Sequence, residues 1–455
     1  MRGGSWLGDR AMVEAMTQRV VDEMRLFWEE GVDFLESGGK PHTRWAAGHS
    51  KPRMINTRHS SGADFTRFLV RKALAKGVTL LGGITVASLL KDASGRCAGA
   101  LAVSAEGLSI YQASAVILAT GGGARAYARS DNPRRAVGDG YGLAYQAGVP
   151  LVDMEFVQFY PVCLAEPGRA PLVIIYDALL EAGARLENSE GRNIPDLYGM
   201  EGLGSLTRDA LGQAIWREVS EGRGVNGGAL LDITTIPAGK AGRISHLWPK
   251  GTGRYKVAPA CHFFMGGVVT SPSGETEVPG LFAAGEVVGG VHGANRLAGN
   301  ALAEAWALGR AAGEGAAASA MDGCPGKPGT GEALEDLHRL ALGKPGRQSQ
   351  VPSIMWEHVS LERRRDGLIK ALALLDHEAE ALSASGTQDF AGLMGLLEDR
   401  WMLLAGEMVT RSALAREESR GAHSRSDHPA EDPSWRCPLE IRRGPEDMRI
   451  EPRLG

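Results

Sequence analysis

Three short glycine-rich segments constrain this chain more than any other feature, because each follows a candidate strand or opens a candidate helix. Residues 118–123 end an apolar run, residues 138–140 precede a helical pattern, and residues 285–302 lead into a helix that begins at Asn300. Glycine lets the backbone lie against a flat or extended ligand, and the free N–H groups of a helix N-terminus attract negative charge. Turns and packing explain any one segment, but the three together predict a large cofactor.

The composition excludes several classes of protein. Glycine accounts for 62 of 455 residues without a three-residue period, which excludes a collagen, and the hydrophobic share of 43% excludes a disordered chain. The 50 basic and 54 acidic residues give a formal charge of −4, so we expect no nucleic-acid partner. Odd in number and without C-x-x-C spacing, the cysteines predict no disulfide framework, metal site or iron–sulfur cluster; they are Cys97, Cys163, Cys261, Cys324 and Cys437.

Hydropathy and cysteine usage also bear on the compartment. No apolar run approaches the roughly 18 residues that a membrane span needs, and the first residues lack the apolar core of a signal peptide. We therefore expect no membrane segment in this chain and a cytoplasmic, reducing setting.

Periodicity and turn residues predict the secondary structure. Asp9 is a helix N-cap, with apolar residues at helical spacing up to Gly31. The continuous run 115–120 predicts a strand buried on both faces and therefore parallel to its neighbour. Further predicted elements are helices over 63–76, 300–313 and most of 330–418, and strands over 78–81, 84–90, 98–104 and 108–111.

Five motifs occur in one order and together are highly specific. They are ATGG at 119–122, GDGYGLAYQAGVPLVDMEFVQFYP at 138–161, HFFMGG at 262–267, VHGANRLAGNAL at 291–302 and ESRGAHSRSDHP at 418–429. On these motifs the chain, from about residue 6 to about residue 435, resembles the flavoprotein family of succinate dehydrogenase, fumarate reductase and L-aspartate oxidase.

The resemblance implies an α/β fold that binds FAD. It implies a Rossmann-like FAD-binding domain, an inserted α+β capping domain that closes over the substrate, and a C-terminal helical domain. The expected bounds are 1–155 and 260–315 for the FAD-binding domain, 156–259 for the cap, 330–435 for the helical domain and 436–455 for a tail.

The same motifs imply which residues contact the cofactor. The helix that begins at Asn300 is expected to direct its positive end at the flavin ring, where it would stabilise the anionic reduced form. The expected FAD-binding residues are Thr120, Gly121, Gly122, Asp139, Glu286, Asn300, Ala301 and Leu302.

One expected unit has no counterpart in the sequence. The family opens with a strand, a G-x-G-x-x-G turn and a helix that hold the FAD pyrophosphate. Such a βαβ unit takes roughly 30 residues, whereas eight residues precede Asp9. Our expectation is therefore a chain that is short at its N-terminus, and the alternative is a non-catalytic remnant that does not retain FAD.

Three cationic positions match the family's reacting site. In that family, hydride passes between the flavin and a carbon next to a carboxylate, and an arginine delivers the proton. Arg208 matches that arginine. The alternative is a purely structural role, in which Arg208 forms an ion pair with Asp209. His262 and Arg296 match the pair that binds one substrate carboxylate, since arginine grips a carboxylate bidentately.

Other positions depart from the family pattern. The histidine of the family's Q-F-H-P motif is Tyr160 here, and the family's T-E-x-x-R stretch aligns with 176–180, so Tyr176, Asp177 and Leu180 occupy its key positions. A dicarboxylate would lose contacts worth roughly 1.5–3 kcal/mol each. We therefore predict a substrate with one carboxylate and a less charged far end, which Tyr160 and Tyr176 contact; half-buried structural aromatics are the alternative.

Within enzymes, the alternative function is that of an L-aspartate oxidase, against which Tyr160 and Leu180 count. By analogy with the family, an electron-transfer partner subunit is also expected, although no residue of this chain demands one.

Overall fold

The computed structural model describes most of the chain. The described residues are 1–58, 61–165, 171–244, 253–321, 323, 325–342, 348–387, 389–444 and 447–453.

Helices form both the first long element and most of the C-terminal third of the described chain. The predicted N-cap is confirmed, because Asp9 Oδ1 accepts the Met12 N–H at 3.1 Å. The helices are α1 (Arg10–Glu29), α2 (Ser61–Ala75), α3 (Asp139–Gln146), α4 (Tyr176–Ala182), α5 (Ile194–Leu197), α6 (Arg208–Ser220), α7 (Ala238–Ile244), α8 (Asn300–Met321), α9 (Gly331–Leu342), α10 (Val351–His358), α11 (Arg365–Ser383) and α12 (Phe390–Ala415).

The strands are mostly short, and two long ones, β10 and β14, lie at the centre of the largest sheet. They are β1 (Glu36–Ser37), β2 (Lys40–Pro41), β3 (Thr43–Arg44), β4 (Met54–Ile55), β5 (Thr85–Lys91), β6 (Cys97–Ser104), β7 (Gly107–Gln112), β8 (Val116–Leu118), β9 (Leu151–Val152), β10 (Val157–Leu164), β11 (Leu172–Val173), β12 (Arg185–Glu187), β13 (Ala229–Asp232), β14 (Arg254–Phe264), β15 (Gly267–Val268), β16 (Leu281–Ala283), β17 (Leu439–Arg443) and β18 (Met448–Pro452).

Among the named strands of the described residues, all pairs are antiparallel except one, which involves the strand just before the first glycine-rich segment. The five-stranded sheet has the order β11-β10-β14-β13-β12, and smaller sheets have the orders β15-β9-β17-β18 and β5-β6-β7. β8 pairs with β16 in parallel, which confirms the predicted direction of the run 115–120. The prediction that both faces of this run are buried is wrong, because Ile117 is 40% exposed. Periodicity shows a strand's character but not which of its faces a neighbour covers.

Two of the apolar cores position the site. The larger core joins α1, α3, α8 and α10–α12 with β8 and β16, while a second core fills the space between the five-stranded sheet and α4–α6. β10 and β14 connect the two regions, with Val157 opposite Phe264 and Leu164 opposite Val257. The residue at which one domain gives way to the next stays a prediction.

The run 78–81 forms no strand. Among the helices of the described residues, none combines the length and apolar character that crossing a lipid bilayer requires.

Candidate active site

Arg208 is the first residue of α6, where the Thr207 side chain caps the helix by accepting the Ala210 N–H. Its Nη1 donates to Gln158 Oε1 at 2.9 Å, and its Cζ lies 4.9 Å from the centre of the Tyr160 ring. A guanidinium over an aromatic face is held there by the ring quadrupole. The Arg208 side chain is therefore fixed by a neutral amide and a ring.

The alternative of a structural ion pair with Asp209 is not what the structure shows. Asp209 Oδ1 accepts instead from Asn295 Nδ2 at 2.8 Å. Within the described ranges, Arg208 forms no ion pair with a carboxylate. Its positive charge is therefore available to an anionic ligand.

Arg296 lies on the loop before α8 and is 4% exposed. Its Cζ lies 4.4 Å from the centre of the Phe263 ring, and its buried Nε lacks a hydrogen-bond partner in the described structure. Burial lowers the pKa of Arg296 well below its usual value, and the nearby charge of Arg208 lowers it further. Among the described residues, neither of these two like charges is bonded to a carboxylate, an arrangement that suits an anionic ligand.

Gln158, on β10, links these two cations. Its Oε1 accepts from Arg208, and its Nε2 donates to Arg296 O and to Asn295 Oδ1, each at 2.9 Å. The sequence contained its signal, because Gln158 is the first residue of the matched Q-F-x-P motif, yet no role was predicted for it.

His262 lies near the end of β14. The centre of its ring is 5.1 Å from the centre of the Tyr160 ring, which the Arg208 guanidinium also contacts. Its Nδ1 lies 2.6 Å from Asp131 Oδ2. Burial lowers the pKa of His262 to about 4. The charges of Arg208 and Arg296 also lower this pKa, whereas Asp131 raises it. The imidazole is therefore neutral at pH 7 and donates its Nδ1 proton to the carboxylate.

Tyr160 and Tyr176 are both buried, with ring centres 5.6 Å apart. Tyr160 donates its hydroxyl to Ile174 O at 3.0 Å, and Tyr176 donates to Leu206 O at 2.9 Å. The two hydroxyl protons are therefore engaged with the backbone. What these residues offer a ligand is ring surface.

Asp177 is the second residue of α4, next to Tyr176. Its Oδ1 accepts the Ala178 N–H at 2.9 Å, and its Oδ2 lies 3.9 Å from Nη1 of Arg44. Sequence reasoning gave Arg44 no role, since it lies more than 130 positions away and belongs to none of the five motifs.

One small cleft collects most of the predicted substrate residues. The structure brings five of them to its wall, and His262 adjoins the wall behind Tyr160. The lining residues are Ala47, Tyr160, Tyr176, Asp177, Thr207, Arg208, Asn295, Arg296, Leu297 and Ala298. Two guanidinium groups and two aromatic rings in one cleft can bind a small anion with an apolar part.

The predicted cofactor residues gather around the end of β8. Thr120 Oγ1 and Asp139 Oδ1 are buried, and neither has a hydrogen-bond partner among the described residues. Gly121 has a φ of 77°, and a side chain there would enter open space beside the backbone. Orphaned polar atoms next to a bare backbone segment fit the hydroxyl and phosphate groups of FAD.

Glu286 lies on the opposite side of this segment. Its Oε1 accepts the Phe264 N–H at 3.0 Å, and a Cβ at Gly122 would lie 2.1 Å from the same oxygen. Burial raises the pKa of Glu286 to about 7. Because Phe264 follows His262 by two residues, the end of β14 connects the cofactor residues to the substrate cleft.

Helix α8 begins at Asn300, as predicted, and its first turn includes Ala301 and Leu302. Ala301 packs against the apolar cluster that contains Phe263, the ring beneath Arg296. The positive end of this 22-residue helix therefore lies beside the cleft. No group of three or more side chains suited to a metal ion occurs among the residues that the structure describes.

The chain is similar in sequence to known flavoproteins. Residues 1–302 match the family described as FAD binding domain, and residues 348–451 match Fumarate reductase flavoprotein C-term. A fumarate reductase (CoM/CoB) subunit from Methanothermobacter marburgensis is 33% identical over 473 residues, which cover 99% of this chain and 86% of the relative. L-aspartate oxidase from Caulobacter vibrioides is 36% identical over 407 residues, 85% of this chain and 72% of the relative.

Solved structures share the architecture. Escherichia coli quinol fumarate reductase superposes with a TM-score of 0.90 at 27% identity, covering 99% of this chain and 84% of that chain. Mycobacterium smegmatis Sdh1 superposes with a TM-score of 0.85 at 30% identity, covering 100% of this chain and 84% of that chain.

Proposed function

The chain belongs to the succinate dehydrogenase, fumarate reductase and L-aspartate oxidase flavoprotein family, and on this premise we propose that it oxidises or reduces the carbon–carbon bond next to the carboxylate of a small monocarboxylate. The matched families and relatives confirm the predicted resemblance, fold class, FAD cofactor and oxidoreductase activity. The choice of substrate and the residue roles below are the proposal.

The observation that carries this choice is the contrast between the charged and the aromatic groups that line the cleft. Arg208 and Arg296 present guanidinium groups without carboxylate partners among the described residues. Tyr160, whose ring the Arg208 guanidinium contacts, and Tyr176 present rings, because their hydroxyls donate to backbone carbonyls. A second carboxylate there would lose charge-assisted hydrogen bonds worth roughly 1.5–3 kcal/mol each, whereas an apolar or aromatic far end would pack on the rings.

Each residue of the cleft has a role in this reaction. Arg296 and His262 bind the substrate carboxylate, and the ring stack on Phe263 holds the Arg296 plane in place. Arg208 holds a proton at its guanidinium next to the reacting carbon, and its charge stabilises negative charge that develops there. When bound, FAD supplies the two-electron redox chemistry, and Thr120, Asp139, Glu286 and the first turn of α8 would hold it.

An electron-transfer partner is part of the same proposal. The Methanothermobacter marburgensis relative is one subunit of its enzyme. We infer that this chain, too, exchanges electrons with a separate protein, which purification of the native enzyme from its source would reveal as a stoichiometric second chain.

The decisive experiment compares substrates with the purified flavin-loaded enzyme. With a reduced dye as electron donor, crotonate and cinnamate are expected to be reduced with a kcat/KM at least about tenfold above that of fumarate, since one lost charged contact is worth that much. Fumarate reduction or succinate oxidation at ordinary enzyme rates would overturn the proposal. Oxidation of L-aspartate would support the second candidate, which the similarity to the Caulobacter vibrioides enzyme favours.

A further inference from the structure

Behind His262 lies a carboxylate that the family motifs do not include. The side chain of Asp131 is 3% exposed and that of His262 is 22% exposed, so the aspartate is enclosed by protein while part of the imidazole stays accessible beside the cleft. Asn132 Nδ2 donates to Asp131 Oδ1 and to His262 O, each at 2.9 Å. The Asp131 N–H also donates to Cys261 O at 3.2 Å. The pair is thus built by two chain segments that hold each other in register.

The charges around His262 oppose one another. Asp131, from the segment before α3, favours an imidazolium; Arg208, from α6, and Arg296, from the loop before α8, disfavour it. Tyr160, from β10, adds an aromatic ring whose hydroxyl is turned towards Ile174. With the cleft free of anions, burial and the two arginines together outweigh Asp131, and the imidazole is neutral.

A neutral His262 is not ready to bind a carboxylate. Its one proton is on Nδ1, where it is donated to Asp131, and Nε2 keeps a lone pair. A lone pair repels the oxygen of an incoming carboxylate. Once that carboxylate cancels the charge of Arg208 and Arg296, however, the balance at His262 shifts towards the imidazolium.

We propose that Asp131 is a positioning residue that makes His262 take up one proton at Nε2 when a carboxylate binds in the cleft. The inference rests on the proposed function only in that the ligand is a carboxylate. The proton comes from solvent and forms an N–H bond at Nε2, which then donates to the bound carboxylate while Nδ1–H still donates to Asp131. The proton returns to solvent when the ligand leaves, and no oxidation accompanies either step.

This coupling has a defined sign. Because the bound form holds one proton more than the free form, affinity falls about tenfold for each unit by which the pH rises, until the imidazolium of the complex itself titrates. A histidine that bound the carboxylate through a fixed Nε2–H would show no such dependence.

The test is titration calorimetry of the flavin-loaded enzyme with crotonate and with acetate at about pH 7, in buffers of different ionisation enthalpy. Wild type is expected to take up close to one proton per ligand. Asp131→Asn is expected to take up almost none and to show a flat dependence of Kd on pH, because no buried charge then supports the imidazolium. Glu314→Gln, which removes an exposed carboxylate on α8 far from the cleft, is expected to behave as wild type.

Two results would overturn the proposal: carboxylate binding to wild type without proton uptake, or unchanged uptake in Asp131→Asn. A second measurement needs no ligand. Nitrogen-15 NMR of labelled histidines, with His262→Gln to assign the signal, should show the neutral Nδ1–H form in wild type and a changed form in Asp131→Asn. An Nε2–H form in wild type also contradicts the inference. The expected NMR result together with no carboxylate binding would instead sink the proposed function and leave the Asp131–His262 pairing standing.

Discussion

The guanidinium of Arg208 lies 4.9 Å from the centre of the Tyr160 ring and at the same time donates to Gln158 at 2.9 Å. These contacts fix the plane of the guanidinium without neutralising its charge. Gln158 in turn donates to the backbone carbonyl of Arg296, so one neutral side chain contacts both arginines. Preorganisation of this kind is valuable for catalysis, because the charge need not reorient as the transition state forms.

Replacing Arg208 by lysine tests that geometry. A lysine keeps the charge as a flexible point but cannot present a planar fork to Gln158, Tyr160 and a substrate together. We expect kcat/KM of the flavin-loaded enzyme to fall about 10²- to 10³-fold, the cost of losing one preorganised donor. Arg217→Lys, on the exposed face of the same helix, is the control and should retain wild-type kinetics. Comparable kinetics for both variants would remove Arg208 from the reaction.

Replacing Tyr160 by phenylalanine tests which way its hydroxyl points. The change deletes the donor to the buried carbonyl of Ile174 and leaves the ring in place. The free energy of unfolding is expected to fall by about 1–3 kcal/mol, the cost of an unsatisfied buried acceptor. Thermal or denaturant unfolding measures this, with Tyr111→Phe, an exposed ring, as the control. An unchanged unfolding energy with weaker carboxylate binding would mean that the hydroxyl faces the ligand.

The motifs predicted the positions of Arg208, His262 and Arg296 because each of these residues belongs to a segment whose order along the chain specifies the fold. They did not predict the orientation of side chains whose partners are backbone atoms elsewhere. The hydroxyl of Tyr160 bonds a carbonyl 14 residues away, and that of Tyr176 bonds one 30 residues away. Residue identity alone therefore predicted that Tyr160 and Tyr176 contact the substrate. It did not predict that their hydroxyls bond the backbone and leave only the rings for that contact.

Asp131 escaped prediction for a related reason. Its contact with His262 depends on the bridge between Ser130 and Cys261, a pairing of segments about 130 positions apart. Helical or strand periodicity does not report such pairings, because it describes only neighbours along the chain. The exposure of Ile117 was missed likewise, since it depends on which elements pack on β8.

The pH dependence of stability is expected to reflect the half-buried carboxyl of Asp399 on α12. Burial, together with the nearby Glu398 and Glu378, raises its pKa to about 6. The folded state thus holds this proton to higher pH than the unfolded state, and stability falls as the pH rises from about 4 to about 6. After allowance for partial exposure, the loss is about 1–2 kcal/mol. Asp399→Asn should have a higher melting temperature than wild type at pH 8 and the same melting temperature near pH 4. Glu314→Gln is the control and should not melt at a higher temperature than wild type at pH 8. Equal melting of wild type and Asp399→Asn at both pH values would contradict the shift.

Adding a single methyl group at Gly140 should test the cofactor segment. A Cβ there would lie 1.9 Å from Thr120 Oγ1 and 2.7 Å from a methyl of Val287, so the backbone or the threonine must move. Since Thr120 Oγ1 is one of the atoms left for FAD, we expect Gly140→Ala to be purified with much less flavin per chain and to melt at a lower temperature. Gly309→Ala in α8 is the matched control, because its Cβ meets nothing within 4 Å and alanine favours a helix by about 0.4–1 kcal/mol. Absorbance of flavin relative to protein, with a melting curve, separates the two variants. A Gly140→Ala protein with the full flavin content would place the cofactor elsewhere than against Thr120.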